Sequence, residues 1–171
     1  MDMTYLREAT YWDDAAMAAV DAIFATTTEP MELGRERKVA QLRSDLDRFI
    51  DRAFETDGMT STEVTAAWAT LGADAVEISR LRSKPLLLTE VTPTLIRKQR
   101  DYGHENIRRF GRRGLLVRIH DKVARLENLV GKTNKPNHES IDDTLLDVVG
   151  YSAIGMMWEN DVFLLPLAPE P

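Results

Sequence analysis

The run NHESIDDTLLDVVGYSAIGMMW, residues 137–158, constrains this chain more than any other stretch. Asn137 follows Pro136 and can cap a helix through its side-chain oxygen. Glu139, Asp142 and Asp143 fill the first turns, where the positive end of the helix dipole favours acids. Beyond them Leu145, Leu146, Val148, Val149, Ile154, Met156, Met157 and Trp158 make the helix apolar on every side. A helix of that kind is buried. Asp147 nevertheless sits in its middle. A carboxylate there needs a cation, a metal or several hydrogen bonds, or it takes up a proton. Glu139, Asp143 and Asp147 fall at i, i+4 and i+8 and so share one face.

With 171 residues the chain can form one domain with a proper core, or a core domain with a helical extension. There is no cysteine, which removes disulfides and thiolate metal sites and fits a reducing cytoplasm. The first residues lack the basic-then-apolar order of a signal peptide, and no apolar stretch approaches the roughly 20 residues of a membrane span. A cytoplasmic protein without membrane contact is expected. Charge is unevenly placed. Residues 97–125 hold ten cations and three acids, a local +7 in a chain of net −6, which leaves −13 elsewhere. Such a segment suits an anionic ligand or internal pairing with the acidic parts. The acidic remainder speaks against direct nucleic-acid binding.

Periodicity predicts an all-α helical bundle. Helices are expected over residues 12–24, from about Met31 to Phe54, and from the capping-box pattern Thr60-x-x-Glu63 to near Ser83. Leu86 to Thr89 reads as a short strand or an extended linker. The next helix is expected to begin at Thr94, after Pro93, and to be interrupted at Gly103. Gly111 and Gly114 predict a flexible cationic turn. A helix over about 115–130 would bury Leu115, Ile119, Val123, Leu126 and Val130. A second helix, over about 138–158, would follow a short polar loop, so the two should form an antiparallel hairpin at the functional core. Residues 1–88 are expected to be an N-terminal helical segment and 89–171 the functional helical domain. The tail from Asn160 reads as an extended piece over the surface.

In that hairpin Arg118, Asp121, Lys122 and Arg125 fall on one face of the first helix, opposite the acidic stripe. Two readings stay open. The stripe is either an internal ion-pair network or a site for a hard divalent cation. Burying charge merely to form ion pairs is a poor route to stability, which favours a site. Mg²⁺ takes oxygen ligands and typically binds one or two carboxylates plus substrate phosphates. Arg and Lys would hold the remaining phosphate charge. His104 and His138 read as surface or capping residues, and His120 as a possible proton handler. In DYGHEN, Tyr102 and Asn106 either meet a base or mark a helix break in which Asn106 caps and Tyr102 packs. Asp74 and Glu77, at i and i+3, read chiefly as a solvated helix face.

The set Asp101-Tyr102-Gly103, Asn106, Gly114, Val117-Arg118, Asp121-Lys122, Arg125-Leu126, Glu139-Ser140-Ile141, Asp143-Thr144, Asp147 and Tyr151 resembles the nucleotide-modification-associated domain family common in phages. Its members are often described as MazG-like nucleotide pyrophosphohydrolases. The resemblance covers roughly Lys98 to Trp158, about a third of the chain. It implies an all-helical, Mg²⁺-dependent enzyme, usually a dimer or tetramer, with E-x-x-E and E-x-x-D on adjacent helices. Here Thr144 replaces the Glu of E-x-x-D, and Asp121 is followed by Ala124.

The expected function is therefore Mg²⁺-dependent hydrolysis of a (deoxy)nucleoside triphosphate to monophosphate and pyrophosphate by a homodimer. Glu139, Asp143 and Asp147, with Asp121, would hold the metal. Arg118, Lys122 and Arg125 would stabilise developing phosphate charge. Tyr102 and Asn106 would face the base. The alternatives are a non-hydrolytic nucleotide-binding module and a protein-binding helical factor.

Overall fold

The computed structural model describes residues 4–28, 34–54, 58–130, 132 and 140–170. Among them are eight helices and no strand, so the chain is an all-α bundle. The helices are α1 (Thr4–Arg7), α2 (Trp12–Thr26), α3 (Arg35–Phe54), α4 (Ser61–Arg80), α5 (Leu88–Tyr102), α6 (Glu105–Arg108), α7 (Gly111–Val130) and α8 (Ile141–Glu159). None of them is long and apolar enough to cross a membrane.

The long apolar helix α8 is the one the others share. α8 packs on α4, α7, α2 and α5. Leu145, Val148, Val149, Ala153, Met156 and Met157 are buried around its circumference. Its tightest approach is to α4. A Cβ at Gly155 would run into the indole of Trp68, so glycine lets the two helices close on that ring. Trp68 is fully buried and meets Phe49 of α3 edge to face at 4.7 Å. Truncating such a ring to Ala costs about 3–5 kcal/mol. Residues on both sides of position 88 belong to one continuous core.

Local chemistry sets the helix ends. Thr60 and Glu63 form the expected capping box, with Glu63 N–H donating to Thr60 Oγ1 at 3.3 Å and Thr60 N–H donating to Glu63 Oε2 at 2.9 Å. α8 starts later than its sequence suggests. Its cap is Ser140, which accepts from Asp143 N–H at 3.0 Å, while Asn137 lies outside the described residues. α5 starts earlier. Leu88 opens it and Pro93 lies inside it, so Leu86 to Thr89 is neither strand nor extended linker throughout. Pro93 is the sixth residue of the helix, past the first turn, so α5 forgoes the one bond that an N–H there would give to Thr89 O. Gly103 ends α5 at φ 64°, a conformation glycine adopts freely.

The FGRRG segment is not a flexible turn. Gly111 begins α7 and Gly114 lies inside it. Gly111 has φ 49°, and a Cβ there would stand 2.7 Å from the Trp158 ring. The stretch is thus held against α8 rather than free. Contacts between α7 and α8 run in opposite order along the two helices. Arg112 pairs with Glu159, Arg118 lies over Tyr151, Lys122 pairs with Asp147 and Arg125 meets Thr144.

The tail crosses the start of α2 and the end of α5. Val162 and Phe163 are buried, Trp12 N–H donates to Pro166 O at 2.8 Å, and Ala168 N–H donates to Asp13 Oδ1 at 2.9 Å. His104 sits beneath it, with Nε2 3.1 Å from Leu165 O.

Candidate functional site

The spacing of α8 puts Leu146, Asp147, Gly150, Tyr151 and Ile154 along one side, and α5 answers with Val91, Thr94, Leu95, Lys98, Gln99 and Tyr102. Between them lies a half-open cleft with about 60 Å³ of room for water centres, closed at one end by Asn106 and Ile107 of α6. At Gly150 the two helices come close, and a Cβ there would stand 3.4 Å from Leu95 Cδ1. The walls are mostly apolar, and the polar groups gather at a few points, as in small-molecule sites.

Asp147 stands at the edge of the cleft. Lys98 Nζ donates to Oδ1 at 2.6 Å and Lys122 Nζ contacts Oδ2 at 2.8 Å. The Asp147 side chain is 14% exposed, whereas Lys98 is 46% exposed and open to solvent. Burial alone would push the carboxyl up. The hydrogen bonds from Lys122 and Lys98 outweigh it and hold the group below the usual aspartate value. The triad carries a net positive charge shared over one carboxylate. Arg118 adds to it. Its guanidinium lies 5.7 Å from the Tyr151 ring centroid, and one N–H donates to Asn106 O at 3.3 Å.

Of the residues expected to act together, Lys122, Arg118, Asp147, Tyr102 and Asn106 converge around this cleft. Tyr102 is 68% exposed at its rim, not packed away, and Asn106 does not cap a helix. The others do not join them. Arg125 serves the start of α8 through Thr144 Oγ1 and, at 3.4 Å, Ser140 O. Asp143 caps α8, its Oδ2 accepting from Ser140 Oγ at 2.7 Å. Asp121 is 76% exposed on the outer face of α7, 3.9 Å from His120 Nδ1. Glu139 lies outside the described residues. Asp142, bound by Arg82, borders a neighbouring groove with Asp143, Arg97 and Lys84.

This arrangement does not fit Mg²⁺. Both oxygens of Asp147 accept from ammonium groups and Asp143 is engaged in its cap. Among the described residues no three His, Cys, Asp or Glu side chains converge as ligands would.

Two cleft residues escaped the sequence reading. Lys98 was visible only as part of the basic run, although it lies one turn before Tyr102 and so on the same face. Gln99 carried no signal. Asp74 and Glu77 were misread, because both are only 8% exposed. Lys38 and Thr28 hold Glu77, with Thr28 N–H donating to Oε1 at 2.8 Å. No family model matches the chain, and no curated protein or solved structure matches it either.

Proposed function

We propose that this protein binds a nucleotide in the cleft between α5 and α8. The base enters among Tyr102, Tyr151 and Gln99. The phosphates lie at the mouth, against Lys98 and towards Arg118. The observation that carries this reading is the junction of an apolar, tyrosine-bordered slot with two lysines held by one aspartate. Tyrosine faces stack on bases, and ammonium and guanidinium groups pair with phosphate oxygens. Asp147 is a positioning residue in this scheme. It fixes both ammonium groups before the ligand arrives, which lowers the ordering cost of binding.

The resemblance to pyrophosphohydrolases extends the proposal to triphosphate hydrolysis and to a homodimer. The described acids do not assemble the metal site that hydrolysis would require, so binding is the reading proposed first. One experiment separates the forms. Melting curves are recorded with each nucleoside triphosphate, with and without Mg²⁺, and pyrophosphate release is followed in parallel. A ligand at about 100 times its Kd should stabilise the fold by about 2.7 kcal/mol, a rise of several degrees in Tm. Stabilisation without pyrophosphate supports the binding module, and pyrophosphate release supports the enzyme. No shift with any nucleotide, in either condition, contradicts both.

A further inference from the structure

Among the described residues the three most exposed large apolar side chains are Tyr102, Phe110 and Val117, at 68, 65 and 62%. All three fall within residues 102–118, which hold five cations and one acid. Tyr102 and Phe110 flank the single turn of α6. Phe110 stands just before α7, where its carbonyl accepts from Gly114 N–H at 3.2 Å, and its ring takes no part in the core. Glycine at 114 leaves room for its stem, since a Cβ there would stand 2.7 Å from Phe110 Cβ. The Arg109 guanidinium lies 5.9 Å from the centroid of the ring. Val117 follows Phe110 at i+7 and shares its side of α7. The next residue, Arg118, reaches back to Asn106 O at 3.3 Å, and Asn106 lines the cleft. The exposed surface therefore continues from the mouth of the cleft.

We infer that this surface binds a single-stranded nucleic acid and that the nucleotide in the cleft is one residue of that strand. Apolar side chains that gather in water mark a partner, and the arginines among them set its sign. A second copy of the chain laid face to face would bring arginine against arginine. A single strand meets both features. Its free base faces stack on Phe110 and Tyr102, and its phosphates pair with Arg109 and Arg118. In a duplex the base faces cover one another and do not reach Phe110. The net charge of −6 opposes general coating by a polyanion. At about 0.1 M salt, however, exposed charges more than about 10 Å apart are largely screened, so the local cationic surface decides. This inference rests on the nucleotide-binding reading and deepens it, from a nucleotide to a strand.

The test is fluorescence anisotropy of the full chain with labelled single strands of about 12 nucleotides, oligo-dT and oligo-dA, beside calorimetric titration with dTTP. Both strands should bind, about tenfold more tightly than dTTP and than the duplex they form together. Phe110→Ala should weaken the strands about tenfold and leave dTTP unchanged, because the ring lies outside the cleft. Phe110→Leu should do nearly the same, since it keeps apolar bulk and loses the ring face. Arg109→Ala should lower the salt slope of strand binding by about 0.7. Equal strand affinity in the wild-type chain and Phe110→Ala overturns the inference. So does displacement of the strand by polyglutamate or by phosphatidylserine vesicles as effective as that by unlabelled strand, which would assign the surface to an acidic protein or a lipid surface. Binding of dTTP without binding of either strand overturns it while leaving the proposed function standing. No binding of dTTP or of either strand overturns both.

Discussion

Glu77 on α4 and Asp147 on α8 are both carboxylates held inside the bundle by lysine, and their surroundings differ in one respect that matters. Glu77 is closed in. Lys38 takes one oxygen, Thr28 takes the other through N–H and Oγ1, and both partners of the ion pair have side chains about a tenth exposed. The pair ties α3 and the end of α2 to α4. Asp147 is also paired twice, but Lys98 faces solvent and an apolar cleft opens beside it. Burial works against charge on Glu77 too, and its hydrogen bonds from Lys38 and Thr28 outweigh it. A buried charge therefore does not by itself mark a site. The neighbouring space does.

The comparison breaks first at Lys38. Lys38→Met leaves Glu77 buried and unpaired, and should lower stability by about 3–5 kcal/mol in urea unfolding. The double variant Lys38→Met/Glu77→Leu should recover most of that loss. If Lys38→Met is neutral, the α4 pair is not the closed structural link described here.

One turn before Glu77, Asp74 sharpens the contrast. Burial, followed by the nearby charge of Asp45, pushes its carboxyl up to about 8. Its folded value lies above its unfolded value, so its contribution to stability is fully present below pH 4 or so and is lost as pH rises towards 8. Asp74→Asn should remove that slope and raise stability at pH 8 by on the order of a few kcal/mol. Unchanged pH dependence in the variant would show that Asp74 ionises freely.

Asp147 should behave with the opposite sign. Its folded value is depressed, so its stabilisation is present above the unfolded aspartate value and disappears as pH falls through the folded one. Asp147→Asn should cost about 1–2 kcal/mol at pH 7, less than a closed pair because Lys98 keeps its water, and should flatten the acid limb. A cost as large as that of Lys38→Met would erase the distinction between the two acids. The smallest effect belongs to the surface. Arg52, half exposed and paired with exposed Glu63, should tolerate Arg52→Ala with no measurable shift in the urea midpoint.

Much of the bundle was legible because helical signals are local. Thr60 and Glu63 announced α4, and the apolar run around Leu145 to Met157 announced the helix that the others surround. What failed depends on neighbours far away in sequence. Gly111 and Gly114 read as a turn because nothing in the chain showed Trp158 lying against Gly111. Asp74 and Glu77 read as solvated because Lys38 lies 39 residues away from Glu77. Of the residues around the cleft, Lys122, Arg118, Tyr102, Asn106 and Asp147 were singled out from the sequence, while the place of Lys98 and Gln99 needed the packing of α5 on α8.

The most direct measurement is the affinity of a nucleoside triphosphate for the wild-type chain and for Lys98→Ala, by calorimetry on folded protein. Nucleotide should bind the wild-type chain, and loss of the one solvent-facing ammonium at the cleft should weaken it about tenfold. Equal affinities, or no binding to the wild-type chain, would contradict a nucleotide site beside Asp147.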